Sequence, residues 1–290
     1  MRYEIIDTQA HIGPGNVDRT LAAMDAVGIR KLIIDECWLD NIMEWKPNVV
    51  LGDGILRHTN PTAQLAAAQY PDRFGYVLRV NRRDPEMVSV IRLAGDDPAC
   101  AGIRITPGMD PGEWQAFATG AYDELLHNTQ EAGLVMFIHM PDHPDWVDSC
   151  AKRHPDLTIV LDHCGLFTNP MRSVFRGLLP EKSKQEQEQF YFATLEKLSA
   201  NTNLYLKWAH FSAMFEEPAF PASRRLSGIL RKTIEIMGTD RILWASDFSV
   251  NQSEECWAEL LYGILGDPGL SSSEKELILG GNAKRLLATP

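Results

Sequence analysis

Short apolar runs recur along the whole chain, and each is separated from the next by a stretch long enough for a helix. Tyr3–Ile12, Lys31–Glu36 (KLIIDE), Phe74–Val80, Gly102–Ile105 (GIRI), Leu134–His139 (LVMFIH), Leu157–His163 (LTIVLDH), Asn203–Trp208 (NLYLKW) and Arg241–Asp247 (RILWASD) read as strands. Between them, Leu21–Val27 reads as a helix stopped by Gly28. Thr62–Tyr70 reads as another, opening behind Asn60-Pro61 as N-cap and first helical residue. Strands joined through helices pair in parallel with right-handed crossovers. About eight such units favour closure into a (β/α)₈ (TIM) barrel over an open doubly wound sheet. No GxGxxG follows the first strand, which argues against a dinucleotide-binding sheet. The 290 residues, 44% of them hydrophobic, suffice for one large core, so residues 1–290 are expected to form a single domain.

The formal net charge of −11 makes a phosphate backbone an unfavourable partner, and nucleic acid is not expected. A small anionic molecule is not excluded, because an arginine in a pocket can outweigh the overall field. No run approaches the ~18 apolar residues of a membrane span. The opening MRYEIIDTQAHI enters a strand pattern at once, without a charged-then-apolar leader. Cys37, Cys100, Cys150, Cys164 and Cys256 are odd in number and scattered, which predicts reduced thiols and a cytoplasmic protein. The oligomeric state, a homo-oligomer included, stays open.

Buried parallel strands should be almost wholly apolar, yet several here end in polar residues. In a closed barrel the C-terminal strand ends are where catalytic groups stand. On the first strand Asp7, Gln9 and His11 alternate, so period-two geometry predicts one shared face in the barrel mouth. For Asp7 a buried hydrogen-bonded network weighs at least as much. His139 and His163 end the fifth and sixth strands, and Asp247 ends the eighth, beside the first. Imidazoles with a carboxylate suit Zn²⁺ or metal-free acid–base work. Arg104, inside an apolar strand, must be paired. It is either a salt bridge or a bidentate anchor for a substrate carboxylate. Arg79 and Lys207 are weaker versions of the same idea, and Glu36 is a minor candidate. His58, His127, His143, His154 and His210 read mostly as surface residues, and Trp208 and Trp244 as packing. The long connections Cys37–Thr59 and Cys164–Gln189 could cover the site. The KSKQEQEQ run of the second reads as a solvated helix face.

IIDTQAHI, MFIHMP, IVLDHCG and ILWASDFSV, with the closing GNAKRLL, resemble the amidohydrolase superfamily in its amidohydrolase-related (amidohydrolase 2) branch. The resemblance runs over nearly the whole chain. It implies a distorted (β/α)₈ barrel with His11, His139, His163 and Asp247 at the site positions. In metal-using relatives two first-strand histidines, the fifth-strand histidine and the eighth-strand aspartate hold a divalent ion, typically Zn²⁺. Here position 9 is Gln, a poor substitute for imidazole, and GIRI offers Arg104 with no lysine for a carbamate. A binuclear site is therefore not expected; a mononuclear one would use His11, His139 and Asp247. The LDHCG and SDFS elements look closest to lactonases of this branch that work without metal.

The reading implied is a hydrolase of a lactone or similar small carboxylated cyclic ester. Asp247 would be general base on water, with His163 and His11 polarising the carbonyl. Arg104 would hold a carboxylate, and Gln9 and His139 would line the pocket. A zinc-dependent decarboxylase of the same branch and a catalytically silent ligand-binding barrel are the alternatives.

Overall fold

The computed structural model describes residues 3–36, 48–175, 177–249 and 256–287. Its centre is a barrel of eight strands: β1 (Ile5–His11), β2 (Ile29–Ile34), β3 (Phe74–Arg79), β4 (Cys100–Ile105), β5 (Val135–Ile138), β6 (Ile159–Leu161), β7 (Leu204–Trp208) and β8 (Ile242–Trp244). Each pairs in parallel with its neighbour in sequence. A two-residue strand, Phe248–Ser249, follows β8 and pairs with Ala10 and His11 of β1. Two hydrogen bonds complete the seam: Asp247 N–H to the Gln9 carbonyl at 2.8 Å, and Thr8 Oγ1 to the Trp244 carbonyl at 2.8 Å. The predicted (β/α)₈ barrel is what forms, and the open sheet is excluded.

The period of two along each strand divides the barrel into layers. Inside, Ile33, Val77, Phe137, Val160 and Leu243 pack into one apolar cluster. Two residues further along their strands come Asp35, Arg79, His139 and Asp162, all buried, so a polar layer stands directly on an apolar floor. The opposite strand face carries Leu32, Ile34, Ile103, Met136, Leu206 and Trp208 into the larger core beneath the helices. Gly102 has a structural reason to be glycine. A Cβ there would collide with the Val135 carbonyl and stand 2.9 Å from the Phe137 ring.

Strand β1 departs from the expected alternation. Its register shifts between Asp7 and Ala10. Ile6 joins the interior cluster, while Asp7 turns to the seam. There its carboxylate accepts from Ser246 N at 3.0 Å, Ser246 Oγ at 2.5 Å and Trp257 Nε1 at 2.8 Å. Asp7 therefore does not join Gln9 and His11 around Asp247.

Helix boundaries follow local chemistry. Helix Val17–Val27 stops where Gly28 takes a left-handed φ of 83° and returns its N–H to the Met24 carbonyl. Helix Pro61–Gln69 starts with Pro61 as expected, but Asn60 does not cap it with its side chain. Its amide reaches the Val77 carbonyl, and Glu36 accepts from the backbone N–H groups of Thr62 and Ala63. Glu36 is thus committed to a helix start rather than to the cavity. KSKQEQEQ opens helix Lys184–Leu198 through a capping box between Ser183 and Glu186. Its side chains face solvent except Lys182, which reaches buried Asp142, and Gln187, which is buried and donates to the Phe167 carbonyl. Asn282, in GNAKRLL, is fully buried and donates to the carbonyls of Thr239 and Ile242, a packing role. Cys37 and residues 38–47 of the first long connection lie outside the described residues; residues 48–58 form a hairpin. Cys100, Cys150, Cys164 and Cys256 are free thiols. Among the described residues no helix is long and apolar enough to cross a membrane.

Candidate active site

A cavity of about 360 Å³ opens at the C-terminal end of the barrel. One side is polar, with His11, Arg79, Arg104, His139, His163 and Asp247, and His210 joins them. Asp247 is the point of convergence. His11 Nε2 lies 3.0 Å from its Oδ1, His210 Nε2 2.6 Å from its Oδ2, and His163 Nε2 3.7 Å from the same oxygen. The Gln9 amide also donates to Oδ1. Burial favours the neutral acid, but His11, His163 and His210 outweigh it and hold the carboxyl well below its usual range. Asp247 is a carboxylate.

Burial disfavours the charged form of the two innermost imidazoles, His163 and His139. Burial pushes His163 down to about 3, and burial with His163 and Arg104 nearby holds His139 well below the usual histidine value. The His139 and His163 rings meet edge-on at 5.1 Å, and both buried Nδ1 atoms have no hydrogen-bond partner among the described residues.

His163, His210 and Asp247 all adopt left-handed backbone, with φ of 51°, 52° and 52°. Such conformations are uncommon outside glycine, cost about 1–3 kcal/mol each and cluster at functional sites. They turn the chain sharply at each strand end, so the side chains point back across the barrel mouth instead of continuing along the strand.

The arginines are not free. Arg104 Nε donates to Asp162 Oδ2 at 2.7 Å and Nη1 to Asp35 Oδ2 at 2.5 Å. Arg79 forks onto both oxygens of Asp35. These guanidinium groups hold Asp35 well below the usual carboxylate range against the effect of burial. Lys207 Nζ sits 2.7 Å from Asp162 Oδ1 and donates to Gln9 Oε1 at 2.7 Å. Of the salt-bridge and anchor readings of Arg104, the salt bridge is present. Gln9 and Lys207, expected in the pocket wall, do not line it; both are nearly fully buried beneath it.

The hydrogen bonds around His11 test whether the site suits a cation. His11 Nδ1 lies 2.7 Å from the Asp35 carbonyl, which can only accept, so Nδ1 carries the proton. In a neutral ring Nε2 then presents a lone pair to a carboxylate oxygen 3.0 Å away. Two acceptors face each other, and a proton or a metal ion between them resolves the clash. Among the described residues, His163, His210 and Asp247 have ligand atoms within 4.8 Å of one another. His139, expected as a ligand, is not in this group, and Gln9 is held by Lys207 and Asp247. The donor set fits a divalent cation; it shares Asp247 with the expected set and has His163 and His210 in place of His11 and His139.

Sequence reading missed three members of the site. His210 was expected at the surface, yet it lines the cavity and touches Asp247. It stands two positions after the β7 end, as His163 does after β6, and that shared offset was the available signal. Asp35 and Asp162 also went unremarked, although each continues the inward face of its strand. Trp208 and Trp244 are fully buried and serve as packing.

The sequence model of the amidohydrolase family matches residues 48–289. Among curated proteins none matches the chain. Among solved structures, an amidohydrolase from Burkholderia multivorans with bound zinc superposes with a TM-score of 0.70 at 17% identity, covering 99% of this chain and 100% of that one. A probable 2-pyrone-4,6-dicarboxylic acid hydrolase from Acinetobacter baumannii with citric acid bound gives 0.61 at 16% identity, with 100% of each chain covered. A 5-carboxyvanillate decarboxylase from Sphingomonas paucimobilis gives 0.61 at 15%, covering 99% of this chain and 100% of that one. At these identities the likeness is one of fold.

Proposed function

Since the chain belongs to the amidohydrolase family, we propose that it is a hydrolase of a lactone or similar small cyclic ester, with Asp247 as general base on water. The observation that carries this reading is the ionised Asp247 carboxylate at the cavity, oriented by Gln9 and His11 on one oxygen and by His210 on the other. A carboxylate so held accepts a proton from water without reorganising. His163 borders it, and a neutral imidazole donates one N–H, so His163 is the group to steady the oxyanion of the tetrahedral intermediate, while His11, whose Nδ1–H goes to the Asp35 carbonyl, would do so only as the imidazolium. Arg104, held by Asp35 and Asp162, fixes the wall behind His163, its Nη2 lying 3.4 Å from His163 Nε2. Asp247, His163 and His210 would hold a divalent ion such as Zn²⁺, with His11 beside them; when bound, the ion supplies Lewis acidity.

Replacing Asp247 by Asn tests the assignment. Hydrolysis of a lactone panel should fall by about 10²–10⁴-fold with folding retained. Near-normal turnover would overturn it. A second reading, decarboxylation of a small acid, is favoured by the His163–His210–Asp247 donor group. Carbon dioxide release from aromatic acids, lost to chelators, together with silence on lactones would select it. Ligand binding with neither activity would select the silent barrel.

A further inference from the structure

The rest of the cavity lining, beside Asp247 and the histidines, is mostly apolar. Met109, Leu166, Phe167, Met171, Ala213 and Met214 form it. The three methionines come from three separate connections: the turn after β4, helix Asn169–Val174 after β6, and helix Phe211–Phe215 after β7. Methionine fills irregular apolar space and adapts to varied shapes. Thr168, also in the lining, accepts the N–H of Met171 with its hydroxyl, so one of the few polar groups on this side is already engaged.

Charge bears on the same question. Six charged side chains stand in or under the cavity among the described residues: Arg79, Arg104 and Lys207 against Asp35, Asp162 and Asp247. Each cation is already paired with a carboxylate, and the two signs balance. Without a bound cation, a substrate carboxylate would add an uncompensated negative charge in a buried space beside Asp247, which is costly.

Resting on the hydrolytic reading above, we propose that the substrate is an uncharged cyclic ester bearing an alkyl or aryl substituent. Its acyl carbon faces Asp247, and its substituent lies against Met109, Met171, Met214 and Phe167. This replaces the carboxylated substrate expected from Arg104. The part of the apolar wall that carries Met171 is fixed in place: Arg172, next to Met171, forks onto Asp142, and Lys182 Nζ reaches the same carboxylate at 2.8 Å. That part is therefore a selecting surface rather than a loose flap.

The test is a series of δ-valerolactones carrying methyl to pentyl groups on the ring carbon beside the ring oxygen, beside the same ring bearing a carboxylate. On the wild-type enzyme kcat/KM should rise about fourfold per methylene until the cavity is filled, and the carboxylated ring should be the poorest substrate. Met171→Gln and Met214→Gln should flatten that rise. The matching alkyl tetrahydropyrans, which have no acyl group, are measured in parallel by calorimetry and should bind more tightly as the chain lengthens. A flat response to chain length in both assays, or preference for the carboxylated ring, overturns the proposal. If no lactone is hydrolysed but the tetrahydropyrans still bind more tightly with length, the hydrolytic reading fails and the apolar selectivity stands.

Discussion

The side-chain amide of Gln9 donates to the carboxylate of Asp247 across 238 residues of chain. Its direction is not arbitrary. Lys207 donates to the Gln9 oxygen at 2.7 Å, so the amide nitrogen must face Asp247. A glutamine at this position is thus a neutral donor that orients the Asp247 carboxylate.

Gln9→Glu should shift the pH dependence of turnover. A second carboxylate against Asp247 disfavours its charged form and raises its pKa. The base works deprotonated, so activity is present above that pKa and lost as pH falls through it. The acid limb of the kcat/KM profile should therefore move upward, by about 1–3 units. An unmoved limb in a folded variant would show that Gln9 does not govern the base.

Arg104→Met should leave Asp35 and Asp162 without their shared partner. Breaking a buried ion pair on one side costs about 3–5 kcal/mol, and Arg104 is 4% exposed, so solvent offers little relief. Denaturant unfolding should read this loss. A change under 1 kcal/mol would mean that the network reorganises around the gap.

Asp7 should make stability fall as pH rises. Burial lifts its carboxyl from 3.8 to about 6, against the hydrogen bonds from Ser246, Gln9 and Trp257. The folded state then holds the proton more tightly than the unfolded chain does. Its contribution is fully present below about 4 and lost as pH climbs through 6, about 3 kcal/mol in all. Asp7→Asn cannot ionise, so its unfolding free energy should gain on the wild type by roughly that amount between pH 4 and pH 7. Parallel curves for the two proteins would remove Asp7 from the pH dependence.

Zinc should stabilise the chelator-treated protein, by about 2.7 kcal/mol at a hundred times its Kd. His210→Ala should lose most of that gain, whereas His139→Ala should keep it. Thermal melts with elemental analysis of the dialysed protein decide this without any activity assay. The opposite ranking would restore the ligand set expected from sequence.

The barrel was legible because each strand-and-helix unit carries its own local signal, and the two periods, 2 and 3.6, do not depend on partners far away. Strand-end residues such as His163 and Asp247 were legible because a polar group closing an apolar run breaks a simple expectation. What escaped depends on backbone turns and long-range pairing. His210 looked like a loop residue, and only its left-handed φ brings it back over the mouth. Asp7 read either as a partner of Gln9 on one strand face or as a member of a buried network, and nothing in IIDTQAH announces the register shift that decides for the network. Arg104 was visible as a buried cation, but its partners lie 58 and 69 residues away and the choice between anchor and salt bridge could not be read locally. Asp247 belongs to the same class: its role is set by groups from β1, β6 and β7 together.

The seam between β1 and β8 has a consequence for timing. Asp247, the proposed base, sits in the joint between the first and last strands of the barrel, tied to Gln9 by both backbone and side chain. A ribosome-bound chain that has already packed most of its strands still holds no oriented carboxylate. With Asp247 as the proposed base, turnover would begin only when the final strand docks on the first, so partly assembled molecules would be silent, and recovery of turnover during refolding would mark the closing event.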